Sequence, residues 1–138
     1  MRTPLLFRTA IAVLAVMTAV AARADTPADF LRSFEIAARQ EQAGFAGFSA
    51  ARGAAFFNNT HGREWSCASC HTRNPATTGR HAKTDKPIAP LAPAANAERF
   101  ARTDKVEKWF KRNCNDVLGR ACTPAEKGDV LTYLMTVR

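Results

Sequence analysis

The sequence predicts an all-α domain of about four helices. Four segments carry apolar residues at helical spacing behind a residue that favours a helix start. Alternating runs of β-branched residues, the usual signature of strands, are nearly absent. We therefore expect helices packed on one another, with no sheet of any size.

The first 24 residues are predicted to be a secretory signal peptide and not part of the fold. Arg2 and Arg8 form a basic start, and residues 10–22 are apolar but too short to span a bilayer comfortably. Small residues just before Asp25 fit a cleavage site at that position. A retained N-terminal anchor is the alternative, although no later segment is apolar enough to cross a membrane. Residues 25–138 then form one small exported domain, expected in the periplasm.

Loss of that segment removes three arginines and lowers the formal net charge of the 138-residue chain from +8 to +5. An exported, mildly basic protein is not expected to bind nucleic acid, and an acidic protein surface is the more natural partner. Export also matters for the four cysteines, because an oxidising compartment permits both disulfides and covalent attachment of a cofactor to cysteine.

Each predicted helix has its own start signal. The helices are expected to begin at Thr26, Ser49, Thr103 and Thr123, with Thr26 and Thr123 as N-caps. In the first and the last, a proline follows the cap and an acidic residue, Asp29 or Glu126, stands third, as in a capping box. The faces expected to be buried carry Phe30, Phe34, Ala37 and Ala38; Gly53, Phe56 and Phe57; Val106, Trp109, Phe110 and Asn113; and Val130, Tyr133, Leu134 and Val137.

Residues 72–96 form a long stretch with few apolar side chains and several turn signals. A loop of this length in a compact domain usually wraps around something. The predicted core is also thin for the length of the chain. A large apolar cofactor would supply the missing core.

Cys67-Ala-Ser-Cys70-His71 is the C-x-x-C-H signature of covalent haem attachment. Two thiols three residues apart can each form a thioether with one vinyl group of the same porphyrin, and His71 can then bind the iron as the proximal ligand. Three alternatives are a thioredoxin-like redox pair, a zinc site and a simple disulfide between Cys67 and Cys70. The first lacks a βαβ setting and the second lacks a nearby fourth ligand. One covalent haem c is the prediction.

The helices around this motif resemble those of class I cytochromes c. In that family an N-terminal and a C-terminal helix cross at a glycine and pack aromatic residues against each other. Gly53 and Phe57 before the motif, and Tyr133 after it, match that arrangement. The resemblance implies a class I cytochrome c-like fold in which the helices wrap around the haem.

The sequence lacks the residue that usually binds the sixth coordination position of the iron. Class I cytochromes c place a methionine there, but Met135 lies three residues from the end of the chain and is better explained by packing. His61 and His81 are expected in exposed loops. Lys111 could bind the iron only if deprotonated, and it belongs to a basic run on one helix. This run is interpreted as a solvated helix face or a docking patch for an acidic redox partner; it comprises Lys105, Lys108, Lys111 and Arg112.

Asn113 lies on the same helical face as Val106, Trp109 and Phe110. A polar amide on an apolar face needs a partner. It is either the C-cap of its helix, a role that asparagine takes readily, or a group of the distal haem pocket. Trp109 and Phe110 are candidate members of that pocket, with core packing as the alternative.

The second cysteine pair, Cys114 and Cys122, encloses a short turn-forming segment with Gly119. A disulfide there would fix the position of Asn113 and contribute about 2–3 kcal/mol in the chain-entropy model. A pair of free thiols is the alternative.

Several segments together resemble the sphaeroides haem protein family, periplasmic monohaem cytochromes related to cytochrome c″. These segments are "APLAP", "ERF", "VEKWFKRNC", "VLGRAC" and "TPAEKGDVLTYL". In that family the residue before the first cysteine of a downstream disulfide is the sixth iron ligand, asparagine in one branch and histidine in the other. The resemblance implies that Asn113 is the distal ligand and that Cys114 and Cys122 are bridged.

An amide oxygen is a hard, neutral donor that suits Fe(III) better than Fe(II). Reduction should therefore release Asn113 and open the iron to O2, NO or CO. The family resemblance implies the same behaviour, with a dihaem c-type cytochrome as electron-transfer partner. Two alternatives stay open: a plain electron carrier that is six-coordinate in both redox states, and an oxidoreductase acting on O2, NO or peroxide. An electron carrier that binds gas fits the sequence better than a dedicated enzyme.

Overall fold

The computed structural model describes residues 23–138, and this part of the chain is mostly helical. The predicted signal peptide therefore lies almost entirely outside the described residues. The all-α prediction is confirmed. Five α-helices lie within the described part: α1 (Pro27–Glu41), α2 (Ala50–Asn58), α3 (Cys67–His71), α4 (Thr103–Leu118) and α5 (Pro124–Thr136). None of these helices is long and apolar enough to cross a membrane.

The helix starts follow the capping chemistry of the sequence. Thr26 and Thr123 cap α1 and α5 with complete capping boxes, in which the hydroxyl accepts from the third helical amide and the acidic side chain accepts from the cap amide. Ser49 caps α2 through its side chain. Residue 103 begins α4, but no side chain caps that helix. Instead, Thr103 donates from its amide and hydroxyl to Asp25, at 3.0 and 2.6 Å.

Helices α2 and α5 cross at a glycine, as the class I resemblance implies. A Cβ atom on Gly53 would collide with the backbone carbonyl of Asp129, so only glycine permits this approach. Beside the crossing, the Phe57 and Tyr133 rings lie 5.5 Å apart. Asp129 closes the same interface, since its carboxylate accepts from the Ser49 amide and from Arg52.

Helix α5 is buried on more sides than its predicted face. It packs against α1 and α2, and it also lines a cavity. Leu131 is therefore fully buried although it lies off the predicted stripe, whereas Tyr133 and Val137 are only partly buried. The predicted core residues Phe30, Phe34, Phe57, Val106, Val130 and Leu134 all belong to the main hydrophobic cluster.

Helix α4 continues past the position where the sequence allowed it to end. It runs on to Leu118, and Gly119 caps it in the left-handed conformation with φ 72°. The interpretation of Asn113 as a C-cap is therefore wrong. Asn113 lies well inside the helix because the turn signal that ends α4 is the glycine, which adopts a positive φ without steric cost.

The loop after α3 is more ordered than predicted. It contains two short antiparallel strands, β1 (Gly79–Arg80) and β2 (Pro87–Ile88), which pair Gly79 with Ile88. Pro75 is fully buried, and its carbonyl accepts from the amides of Leu91 and Ala92. A short 3₁₀ helix (Ala97–Phe100) then leads into α4. The loop is therefore an ordered part of the fold, held by backbone hydrogen bonds.

Candidate functional site

A largely apolar cavity of about 380 Å³ lies between the helices and the long loop. Its walls come from α2, α3, α4, α5, the 3₁₀ helix and residues of the loop. Apolar side chains in the walls include Phe56, Phe57, Leu91, Phe100, Val130 and Leu134. Small-molecule and cofactor sites have this character, an apolar interior with a few convergent polar groups.

The C-x-x-C-H residues occupy one wall of the cavity, on the short helix α3. Ser66 caps α3 in a capping box with Ser69. The helix stops at once because Thr72 takes a left-handed φ of 61°, which is costly for a β-branched residue. The Thr72 hydroxyl stabilises this turn by donating to the Asn74 carbonyl, at 2.7 Å.

Burial keeps two groups of α3, the Cys67 thiol and the His71 imidazole, neutral. Burial raises the pKa of the Cys67 thiol to about 11. Burial, aided by the positive charge of Arg99, lowers the pKa of His71 to about 4. His71 is therefore a neutral imidazole at physiological pH, which is the form that binds a metal. Neither Cys67 nor Cys70 is bridged to another cysteine.

Helix α4 forms another wall of the same cavity. Val106, Trp109, Phe110, Asn113 and Val117 all line it, so the helical spacing found in the sequence corresponds to one face. Asn113 is partly buried and reaches the cavity that also contains His71. Trp109 lines the cavity while remaining 46% exposed, so it lies at the rim and not in a closed core.

The other candidate ligands lie elsewhere or at the edge. Met135 is 39% exposed on α5 and is not among the residues that line the cavity. His61 contacts the Phe56 carbonyl through Nε2, at 3.0 Å, and Lys111 is exposed. His81 does line the cavity, and its Nδ1 accepts from the Lys83 amide, at 3.2 Å.

The second cysteine pair is held close to Asn113. Cys114 and Cys122 are both buried, with their sulfurs at bonding distance and their Cα atoms 5.5 Å apart. The pair joins the last turns of α4 to the segment that leads into α5.

Arg99 is a cavity residue that sequence reasoning missed. Its half-buried guanidinium donates to the carbonyls of Pro90, at 2.9 Å, and Ala89. Among residues 23–138, no carboxylate lies within ion-pair distance of it. The sequence offers only "ERF" in a short 3₁₀ helix, and the loop fold that turns Arg99 inward is not visible there.

The residues present fit a haem. The cavity is apolar and of suitable size, and two unbridged thiols stand three residues apart beside a neutral imidazole. Arg99, which has no ion-pair partner within residues 23–138, suits the carboxylate groups of a haem. Around such a site, the all-α fold with its glycine crossing defines the class: the chain is a c-type cytochrome with a class I-like fold.

Comparison with known proteins agrees with this class. Residues 43–134 match the family model described as a domain of unknown function (DUF1924). The chain is 42% identical to the cytochrome c-type protein SHP of Cereibacter sphaeroides over 125 residues, which is 87% of this chain and 92% of that protein. It is 50% identical to cytochrome c″ of Methylophilus methylotrophus over 80 residues, 58% of this chain and 56% of that one.

Solved structures of both relatives have the same fold. The crystal structure of oxidised cytochrome c″ superimposes with a TM-score of 0.73 at 39% identity, covering 81% of this chain and 94% of that one. Oxidised SHP, described as an oxygen-binding cytochrome c, gives a TM-score of 0.71 at 42% identity, covering 81% and 98%. The chain belongs to the cytochrome c″/SHP family and is a monohaem cytochrome with one haem c.

Proposed function

We propose that this cytochrome transfers electrons and binds a diatomic gas after a weak asparagine ligand leaves the iron. Cys67 and Cys70 form the two thioethers, and His71 is the proximal ligand. When bound, the haem supplies one-electron chemistry and an iron that can take up small ligands. The observation that carries the proposal is that Asn113 lines the same cavity as His71, whereas Met135 does not.

The chemistry of the amide supports release of this ligand on reduction. The Asn113 oxygen is a hard, neutral donor, so its affinity falls when the iron gains an electron. Once released, the side chain can still donate from its NH2 group toward a bound gas. The relative SHP is described as an oxygen-binding cytochrome c, which supports extending gas binding to this chain.

The surroundings of Asn113 suit such a site. Phe110 and Trp109 lie one turn before it on α4 and restrict access of water to that part of the cavity. The Cys114–Cys122 pair, which we take to be a disulfide, holds the backbone directly after Asn113.

We further propose a periplasmic location, with the signal peptide removed before Asp25 and residues 25–138 forming the mature domain. A dihaem c-type cytochrome is the proposed electron donor. Four exposed cations of α4 support docking to an acidic surface, since none forms an ion pair with a described residue. These cations are Lys105, Lys108, Lys111 and Arg112.

Absorption spectra of the wild type and of Asn113→Ala test the central step. The oxidised wild type should be low-spin, and the reduced protein should bind CO. Asn113→Ala should be high-spin or water-ligated when oxidised, while still binding CO when reduced. A reduced wild type that stays low-spin and ignores CO would instead indicate a plain electron carrier, and an unchanged ferric spectrum of Asn113→Ala would remove Asn113 from the iron.

A further inference from the structure

Helix α4 carries Asn113, and its apolar face lines the cavity, while Phe110 on that face also contacts Phe34 of α1. Three polar or covalent ties join it to the rest of the part that the structure describes. Thr103 is bound to Asp25 at the start of the helix, and Cys114 is joined to Cys122 near its end. The third tie lies between them, at Glu107.

Lys127 of α5 makes this middle tie. Its Nζ donates to Glu107 Oε2, at 2.7 Å, and the Lys127 side chain is only 18% exposed. The ammonium also lies over two aromatic rings, 5.4 Å from the centre of Phe34 and 5.8 Å from that of Phe110. A shielded cation between a carboxylate and two ring faces is held more firmly than an ordinary surface pair.

This arrangement joins three helices at one point. Phe34 belongs to α1 and Phe110 to α4, and their rings meet edge to face with centres 5.7 Å apart. Phe110 also lines the cavity, three residues before Asn113 on the same face. The ammonium of Lys127 therefore fixes the segment of α4 that leads directly to Asn113, about 9 Å along the helix from Glu107.

We propose that Lys127 is a positioning residue for Asn113: by holding Glu107 and Phe110, it keeps α4 at the distance from which the weak amide oxygen can bind the ferric iron. This inference rests on the proposed ligation by Asn113. A weak ligand cannot pull its helix into place, so the position of the helix must be set by other contacts.

Displacement of Asn113 by imidazole in the oxidised protein measures this effect. Imidazole is suitable because its neutral form, dominant at pH 8, does not respond to the loss of a positive charge. In Lys127→Met the affinity for imidazole should rise about three- to tenfold, since the lost ion pair and cation–π contacts no longer favour the amide-bound state. Lys127→Arg should recover most of the wild-type affinity.

Two further variants act as controls. Glu107→Gln removes the ion pair but keeps the lysine; Glu107 is 46% exposed, so this variant tests the idea even if Lys127→Met folds poorly. Arg52→Gln breaks a comparable ion pair to α5, that of Arg52 with Asp129, without touching α4. It should leave imidazole affinity unchanged.

The Asn113→Ala background separates the possible outcomes. There, Lys127→Met should have no effect on imidazole affinity, because no amide remains to be displaced. An equal rise in both backgrounds, or no rise in either Lys127→Met or Glu107→Gln, would overturn the positioning role. If Asn113→Ala alone leaves the ferric spectrum and imidazole affinity unchanged, the proposed ligation fails and the positioning role fails with it.

Discussion

Asn113 and His71 face the same cavity from helices that hold them in different ways. His71 ends a five-residue helix that is capped, stopped sharply and packed against the loop. Asn113 lies inside a sixteen-residue helix whose apolar face is directed at the cavity. His71 is thus set by local backbone geometry, whereas the position of Asn113 depends on tertiary ties. This difference agrees with a permanent ligand on one side and a releasable one on the other.

A single substitution should change how readily the distal side opens. Asn113→His replaces a hard oxygen by an imidazole nitrogen, which suits iron in both redox states. We expect a low-spin ferric spectrum and an affinity of the oxidised protein for added imidazole at least about tenfold lower than in the wild type, since a competitor worth about 1.4 kcal/mol has this effect. Imidazole titration of the oxidised protein measures it. Unchanged imidazole affinity in Asn113→His would mean that residue 113 does not reach the iron.

At the scale of elements, the chemistry of helix starts is local and could be predicted. Thr26, Ser49 and Thr123 cap helices as the sequence indicates. The end of α4 could not be predicted in this way. Asn113 and Gly119, six residues apart, both satisfy the local rules for a helix C-cap. Which one ends the helix depends on packing around the cavity and the cysteine pair.

The residues of the candidate site also differ in whether local sequence predicts them. Cys67, Cys70 and His71 could be found from spacing, because their chemistry is contained in five consecutive residues. Arg99 could not be found, because it becomes a cavity residue only when the loop carbonyls of Ala89 and Pro90 hold its side chain there. Contacts between the loop and the 3₁₀ helix leave no periodic signal in the sequence.

The contact between β1 and α3 gives a prediction for a single glycine. A Cβ atom on Gly79 would collide with the Cys70 carbonyl and approach the His71 Cα atom. Gly79→Ala should therefore displace α3, destabilise the protein by about 1–3 kcal/mol and reduce covalent haem incorporation. Intact mass and chemical denaturation of the purified protein measure the two effects.

Two other glycines serve as controls for that variant. Gly53→Ala also meets backbone, but that of Asp129 in α5 and not that of α3; it should destabilise the protein without impairing haem attachment. Gly44→Ala meets nothing within 4 Å and should be neutral. Normal haem incorporation in a destabilised Gly79→Ala would show that β1 does not position α3.

For the whole molecule, the cavity divides the helices into two groups. Helix α5 packs directly on both α1 and α2, and Phe57, Leu131 and Leu134 are buried in this group. Helix α4 faces them across the cavity, with Val106 and Val117 buried at its wall. The thin core predicted from the sequence therefore fits a molecule in which a haem in this cavity would supply part of the contact surface of α4.

Removing the haem should consequently affect one group more than the other. In haem-free Cys67→Ala/Cys70→Ala, which cannot form thioethers, α4 loses the surface against which its side chains are buried. That surface is worth about 1.5–3 kcal/mol for each fully buried side chain. We expect hydrogen exchange of the α4 amides to accelerate strongly, while the amides of α2 and α5 at the Gly53 crossing keep much of their protection. The Cys114–Cys122 pair should retain some order in the last turns of α4, so the acceleration should be greatest near Val106. Uniform loss of protection in all helices would instead show that the haem supports the fold as a whole, and unchanged protection of α4 would show that its position does not depend on the haem.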